Sequence, residues 1–216
     1  MEKRLQSCQM NLQLFQEHGQ RFLDSIITQD ETPLSLYVPP SKRESKEWTF
    51  KGEAPKKILR SGTSHRKYLM LSVFWMTSGI IKIDFTEGVI NGDYYANLVK
   101  ETRKAKRKPR GFPFYWLHDN APIHSANVSV AALDECGFVK LEHPPYSPDL
   151  APSDFFLFAH LKKELRGNHF EGKNDLKEFV ENFLANKGEE WYRNGMNLLV
   201  ERWRKCIEVE GSYIEK

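Results

Sequence analysis

Cysteine is scarce and scattered: the 216-residue chain holds Cys8, Cys136 and Cys206, with no Cys-x-x-Cys pair and no Cys/His cluster. That usage argues against a disulfide framework or a zinc site and fits a reducing compartment. No apolar run approaches the ~20 residues that a membrane span needs, so no membrane association is expected. The opening MEKRLQSCQM lacks the apolar core of a signal peptide, and secretion is not expected. Internal repeats and low-complexity tracts are also missing. What remains, 40% hydrophobic and 12% aromatic residues, suits one soluble globular domain with a sizeable core.

The net charge of +3 hides a strong segregation. Lys42 to Lys67 holds nine Lys/Arg against three Glu, and Lys100 to Arg110 holds seven against one Glu. Each segment thus carries an excess of six, and the rest of the chain is acidic by nine. A polyanion-binding face needs such a distribution, with Lys42, Arg43, Lys46, Lys56, Lys57, Arg60, Arg66 and Lys67 in the first segment as candidates. Arg103, Lys104, Arg107 and Lys108 are the candidates in the second. The bland alternative is two solvated basic loops.

Residues 1–23 read as an amphipathic helix, with Leu5, Cys8, Leu12 and Phe15 at helical spacing. Ser25–Thr28 and Leu34–Val38 read as two short strand pieces around a polar turn, QDET, and 39–66 as an extended, basic loop. Residues 68–75 and 79–85 form two strands joined by MTSG. A helix is expected from Gly92 to about Lys106, a buried strand over 113–118, a helix over 125–136 stopped by Gly137, and a strand over 138–143. Helices near 153–166, 173–187 and 189–208 complete the chain, the last with Trp191, Leu199, Trp203, Cys206 and Ile207 on a core stripe. The order predicts an α/β fold with a mixed five-stranded sheet, flanking helices and a basic inserted loop between early strands, as in RNase H-like proteins.

Three acidic residues stand out by context: Asp30 at the end of the first strand piece, Asp119 at the end of the most apolar strand, and Asp154 at a helix start after Ala-Pro. The carboxyl ends of neighbouring strands and a helix start can converge on one site. Three carboxylates without His or Cys select Mg²⁺ or Mn²⁺. Two such ions can activate water and stabilise the departing oxygen of a phosphodiester. Asp149, between Pro148 and Pro152, reads instead as a loop-fixing acceptor, and Ser153 as the helix N-cap.

FYWLHDNAPIHSA and LEHPPYSPDLAPSDFFLFAHLKKEL closely resemble the catalytic domain of mariner-type DNA transposases, and the similarity extends over nearly the whole chain. The 34 residues between Asp119 and Asp154 match that family's spacing. The resemblance implies an RNase H-like fold, Asp30, Asp119 and Asp154 as catalytic metal ligands of a two-metal Mg²⁺ or Mn²⁺ site, and cut-and-paste cleavage and strand transfer. It implies double-stranded DNA partners (transposon ends and a TA target), a homodimer in the DNA complex, and nuclear action. It also implies a linker-helix remnant over 1–23, a catalytic domain over 24–216 and a clamp-like loop over 39–66. His118, Asn120 and His124 surround Asp119 as candidate supporting residues, with capping or packing at the next helix as the alternative for His124.

The sequence departs from the family beside the first ligand, where GDETW becomes Gln29-Asp30-Glu31-Thr32-Pro33. Pro33, without an N–H, is expected to disturb the strand there. The family's N-terminal helix-turn-helix region has no counterpart in the chain. Two further functions therefore stand beside the transposase: a decayed or domesticated copy that binds DNA or dimerises without turnover, and an RNase H-type nuclease, which would share the fold but not the SPDLAPSD loop. A related domain occurs fused to a histone methyltransferase, yet nothing in this sequence resembles a methyltransferase.

Overall fold

Alternation of side chains along the strands shows why both faces of the sheet are covered. In the computed structural model, which describes residues 1–39, 68–106 and 111–214, strands β1 (Ile26–Ser35), β2 (Tyr68–Met76), β3 (Gly79–Thr86), β4 (Phe114–Leu117) and β5 (Phe138–Lys140) form one sheet. Its order is β3-β2-β1-β4-β5. The β3-β2-β1 pairs are antiparallel, whereas β1-β4 and β4-β5 are parallel. Ile26, Leu69, Leu71, Val73, Trp75, Tyr115 and Leu117 face one core. Their strand neighbours Ile27, Phe74, Met76, Phe114 and Trp116 face the other. This is the mixed, helix-flanked sheet expected from the sequence.

Helices α1 (Glu2–His18), α6 (Phe158–Leu165), α7 (Lys173–Ala185) and α8 (Glu189–Glu208) cover the first face, and α3 (Gly92–Ala105) and α5 (Asn127–Cys136) cover the second. Asn91 caps α3 by accepting from the Tyr94 amide at 2.9 Å. Gly137 closes α5 at φ 69°, a left-handed position suited to glycine. The stripe on α8 is core, as Leu199, Trp203 and Cys206 are buried and Trp191 and Ile207 pack against them.

Several boundaries differ from the sequence reading. The two strand pieces around QDET are one ten-residue strand, paired with β2 from Thr28 to Ser35, so Asp30 lies within β1 and not at its end. Pro33 does not interrupt it and sits exposed opposite Met70. Only Ile26–Thr28 pair with β4, so past Thr28 that side of β1 is an edge, where proline is tolerated. The first helix breaks at Gly19 before a short turn, α2 (Gln20–Leu23). The helix after β4 splits into α4 (Pro122–Ser125) and α5, and β5 ends at Lys140. Residues 40–67 and 107–110, which contain most of the clamp-like loop, lie outside the described residues.

Asp149 is the loop-fixing acceptor that its setting suggested. Arg4 on α1 donates to both its oxygens, at 2.8 and 2.6 Å, and to the Gly211 carbonyl at 2.9 Å. The Ile214 amide adds a bond at 3.1 Å. This fork ties the first helix and the C-terminal segment to the proline-rich loop that leads to Asp154. The pair is largely buried, at 8% and 10% side-chain exposure. Removing one partner strands the other charge, so Arg4→Met is expected to cost about 3 kcal/mol. That lowers the melting temperature by roughly 6–12 °C for a chain of this size. A calorimetric shift under a degree would show the fork to be dispensable.

Candidate active site

Parallel register brings two of the aspartates together. Thr28 on β1 lies beside Leu117 on β4. Asp30 and Asp119 each stand two residues beyond that pair, on neighbouring chain segments. Asp154 comes from a π-helical turn, Ser153–Leu157, that runs into α6. Ser153 does not cap this turn through its side chain: Pro152 holds the N-cap position, and the Ser153 hydroxyl accepts from Trp75 Nε1 at 3.1 Å. Trp75 is buried in β2, so the turn is fastened to the sheet by a core residue. Asp119 and Asp154 line one cleft of about 320 Å³ with Asn120, His143, Tyr146 and Ser147. A groove of about 470 Å³ between β3 and helices α7 and α8 contains none of the three.

The charges interact. Burial, followed by the charges of Asp154, Glu31 and Asp119, holds the Asp30 carboxyl well above the carboxylate range. Burial and then Asp119 raise Asp154, against the opposing Lys162. Asp119 goes the other way, down to about 2, chiefly because His124 bonds to it. The donor set is all oxygen and carries negative charge that a divalent cation would relieve, so these residues fit Mg²⁺ or Mn²⁺. Among the described residues, no three His, Cys, Asp or Glu side chains stand close enough to grip one ion.

The residues around Asp119 divide. His118 does not orient it: the ring is buried, both nitrogens lack a hydrogen-bond partner among the described residues, and it packs edge-on to His124 at 4.7 Å. Burial depresses it to about 3. Asn120 donates instead to the His143 carbonyl at 2.8 Å. His124 bonds directly to Asp119, its Nδ1 standing 2.7 Å from Oδ1, and its Nε2 lies 3.4 Å from Glu31 Oε1. These two carboxylates outweigh burial and raise His124 to about 9. Sequence reasoning assigned Glu31 no role. The available signal was strand alternation, which puts Gln29 and Glu31 on the face opposite Asp30.

Of the basic candidates, only Arg103 and Lys104 fall within the described residues. The Arg103 guanidinium donates to the Cys136 and Lys106 carbonyls, which ties α3 to α5. Lys104 is exposed. The other ten positions lie outside the described residues.

Burial also lowers His143 at the cleft, to about 4. Its ring stays neutral in the folded chain while the unfolded chain takes up a proton below about 6.5. The group therefore withdraws stability as pH falls from 6.5 towards 4. His143→Phe is expected to flatten the fall in melting temperature over that range in metal-free buffer. An unchanged slope would place the acid sensitivity elsewhere.

Comparison with known proteins adds sequence and structural relatives. The family model described as "Transposase (partial DDE domain)" matches residues 38–112. The chain is 33% identical over 210 residues to the human histone-lysine N-methyltransferase SETMAR, covering 94% of this chain and 30% of that protein. It is 32% identical over 223 residues to the mariner Mos1 transposase of Drosophila mauritiana, covering 100% of this chain and 63% of that one. The chain thus spans less than two thirds of either relative. The crystal structure of the Mos1 catalytic domain superposes with a TM-score of 0.81 at 30% identity, covering 100% of this chain and 95% of that chain. The Mos1 paired end complex with Mn gives 0.91 at 31% identity, covering 100% and 63%.

Proposed function

This chain belongs to the mariner-type transposases, matching their catalytic domain, and on that premise we propose that it performs metal-dependent cleavage of transposon ends and strand transfer. The reading is supported above all by Asp119 and Asp154 lining one cleft, with Asp30 on the strand beside the one that leads to Asp119. These three side chains would hold Mg²⁺ or Mn²⁺, which supplies an activated water and a counter-charge for the departing oxygen. The β1 backbone holds Asp30 on a rigid strand, where Oδ1 accepts from the Glu31 amide at 2.8 Å. Trp75 and Ser153 pin the turn carrying Asp154. His124 and the Ala121 amide fix Asp119.

In this reading, residues 24–216 are the catalytic domain, 1–23 belong to a linker helix, and 39–66 act as a clamp towards DNA and a partner subunit. Double-stranded DNA is the substrate, with its phosphates met by the two basic segments, and two copies act together in the nucleus. Solved Mos1 complexes, which include a paired end complex with Mn, support the DNA and metal assignments. The test is nicking of supercoiled DNA in Mn²⁺, comparing the protein with Asp119→Ala and Asp154→Ala. Nicking in the protein alone supports the enzyme. Equal inactivity of all three, with salt-sensitive DNA binding retained, would mark a binding module without turnover.

A further inference from the structure

A continuous run of hydrogen bonds links the hydrophobic core to one oxygen of Asp119. Trp116 Nε1, buried in β4, donates to the Tyr95 hydroxyl at 3.0 Å. That hydroxyl donates to Gln29 Oε1 at 3.3 Å. Gln29 Nε2 donates to Glu31 Oε1 at 2.6 Å, and the same oxygen faces His124 Nε2 at 3.4 Å. The run ends at Asp119 Oδ1, 2.7 Å from His124 Nδ1. The His124 side chain is fully buried and packs against Tyr95 at a tilt of 43°, with ring centroids 4.5 Å apart, which confines it.

The Asp119 end matters because this residue sits on an exposed loop after β4 and would otherwise sample several rotamers. Both the Ala121 amide, at 2.9 Å, and His124 use Oδ1. Oδ2 has no partner among the described residues. One strand does two jobs: Asp30 projects to one face of β1, while Gln29 and Glu31 project to the opposite face.

We propose that Glu31 and His124, anchored by Gln29, are positioning residues that lock Asp119 with Oδ2 presented to the metal. The proposal rests on the reading of Asp119 as a ligand. Gln29, a departure from the family pattern beside Asp30, gains a function: it holds Glu31 against His124. None of the three touches substrate.

The test reads the binding of Mn²⁺ alone, by calorimetric titration of the full chain, with no DNA and no turnover. His124→Phe keeps the ring stack and removes both bonds; it is expected to weaken Mn²⁺ binding about 10–100-fold. Glu31→Ala should weaken binding in the same direction, and Glu31→Gln, which keeps an acceptor for His124 and Gln29, should restore it. Gln29→Leu should give a smaller loss. Circular dichroism and metal-free DNA binding should match the parent throughout. If His124→Phe does not fold, Glu31→Ala against Glu31→Gln carries the same comparison. Folded His124→Phe and Glu31→Ala variants that bind Mn²⁺ within about two-fold of the parent, while Asp119→Asn does not, would overturn the proposal and leave the metal site standing. Unaltered binding by Asp119→Asn would instead remove the ligand reading, and the relay with it.

Discussion

Asp30→Asn will abolish DNA nicking and, in metal-free buffer, raise the melting temperature. Both effects have one cause. Asp30 is partly buried on β1 and faces the charges of Asp154, Glu31 and Asp119, so its ionised form is disfavoured when no cation is present. Asparagine keeps an oxygen for the Glu31 amide, which now bonds Asp30 Oδ1 at 2.8 Å, and removes the charge. Relief of that repulsion should raise the melting temperature, at roughly 2–4 °C for each kcal/mol recovered in a chain of this length. In the proposed site the same change deletes a metal ligand, for which a rate loss on the order of 10³-fold is expected. Calorimetry in EDTA and the supercoiled nicking assay read the two sides separately. A variant that melts well below the parent would show that Asp30 is a structural residue rather than one held at a cost for function.

The second large effect concerns Gly195, on the helix behind the turn that carries Asp154. A β-carbon there would stand 2.4 Å from Phe156 Cδ1 and 2.6 Å from Cε1, inside any tolerable contact. The Phe156 ring cannot retreat easily, being packed against Trp191 at 4.4 Å and His160 at 4.7 Å between centroids. Phe156 is two residues beyond Asp154 in the same π-helical turn, so displacement of its ring moves the carboxylate. Gly195→Ala recovers up to about 1 kcal/mol of helix propensity against overpacking of about 1–3 kcal/mol. Gly195→Val adds two methyl groups and should cost about 3 kcal/mol or more. A displacement of ~1 Å at Asp154 would also lower nicking about 100-fold at a temperature where the variant is folded. Parent-like melting and nicking by Gly195→Val would mean that α8 does not brace the site.

The parts of the fold that were legible in the sequence are those where one signal dominates. FYWL between turn residues could hardly be anything but a buried strand, and Gly137 stopped α5 where a left-handed residue was needed. QDET misled because Asp, Glu and Thr before a proline carry the chemistry of a turn. Pairing with β2 along Thr28–Ser35 overrides that local preference, and the missing neighbour beyond Thr28 leaves an edge that tolerates Pro33. The end of β5 was overread for a similar reason. Leu141 still bonds the Trp116 carbonyl at 2.9 Å, but the following prolines turn the chain away.

At the candidate site, Asp119 and Asp154 stood out because motif and spacing coincide on short stretches, and both line one cleft. The Gln29 and Glu31 support around Asp119 carried no such signal. It depends on β1 continuing unbroken through Asp30, since only then do Gln29 and Glu31 share a face and meet His124. His118, adjacent to Asp119 in sequence, points into the core. Of the two histidines that the sequence offered as supporting residues, His124 and not His118 bonds Asp119.

Asp30, Asp119 and Asp154 are proposed together to bind a divalent metal ion. Calorimetric titration with Mn²⁺ of the parent chain and of the three single Asp→Asn variants tests this without DNA. Saturable binding is expected in the parent and severe weakening in each variant, with folded circular dichroism spectra throughout. Three variants that bind Mn²⁺ as the parent does would contradict it.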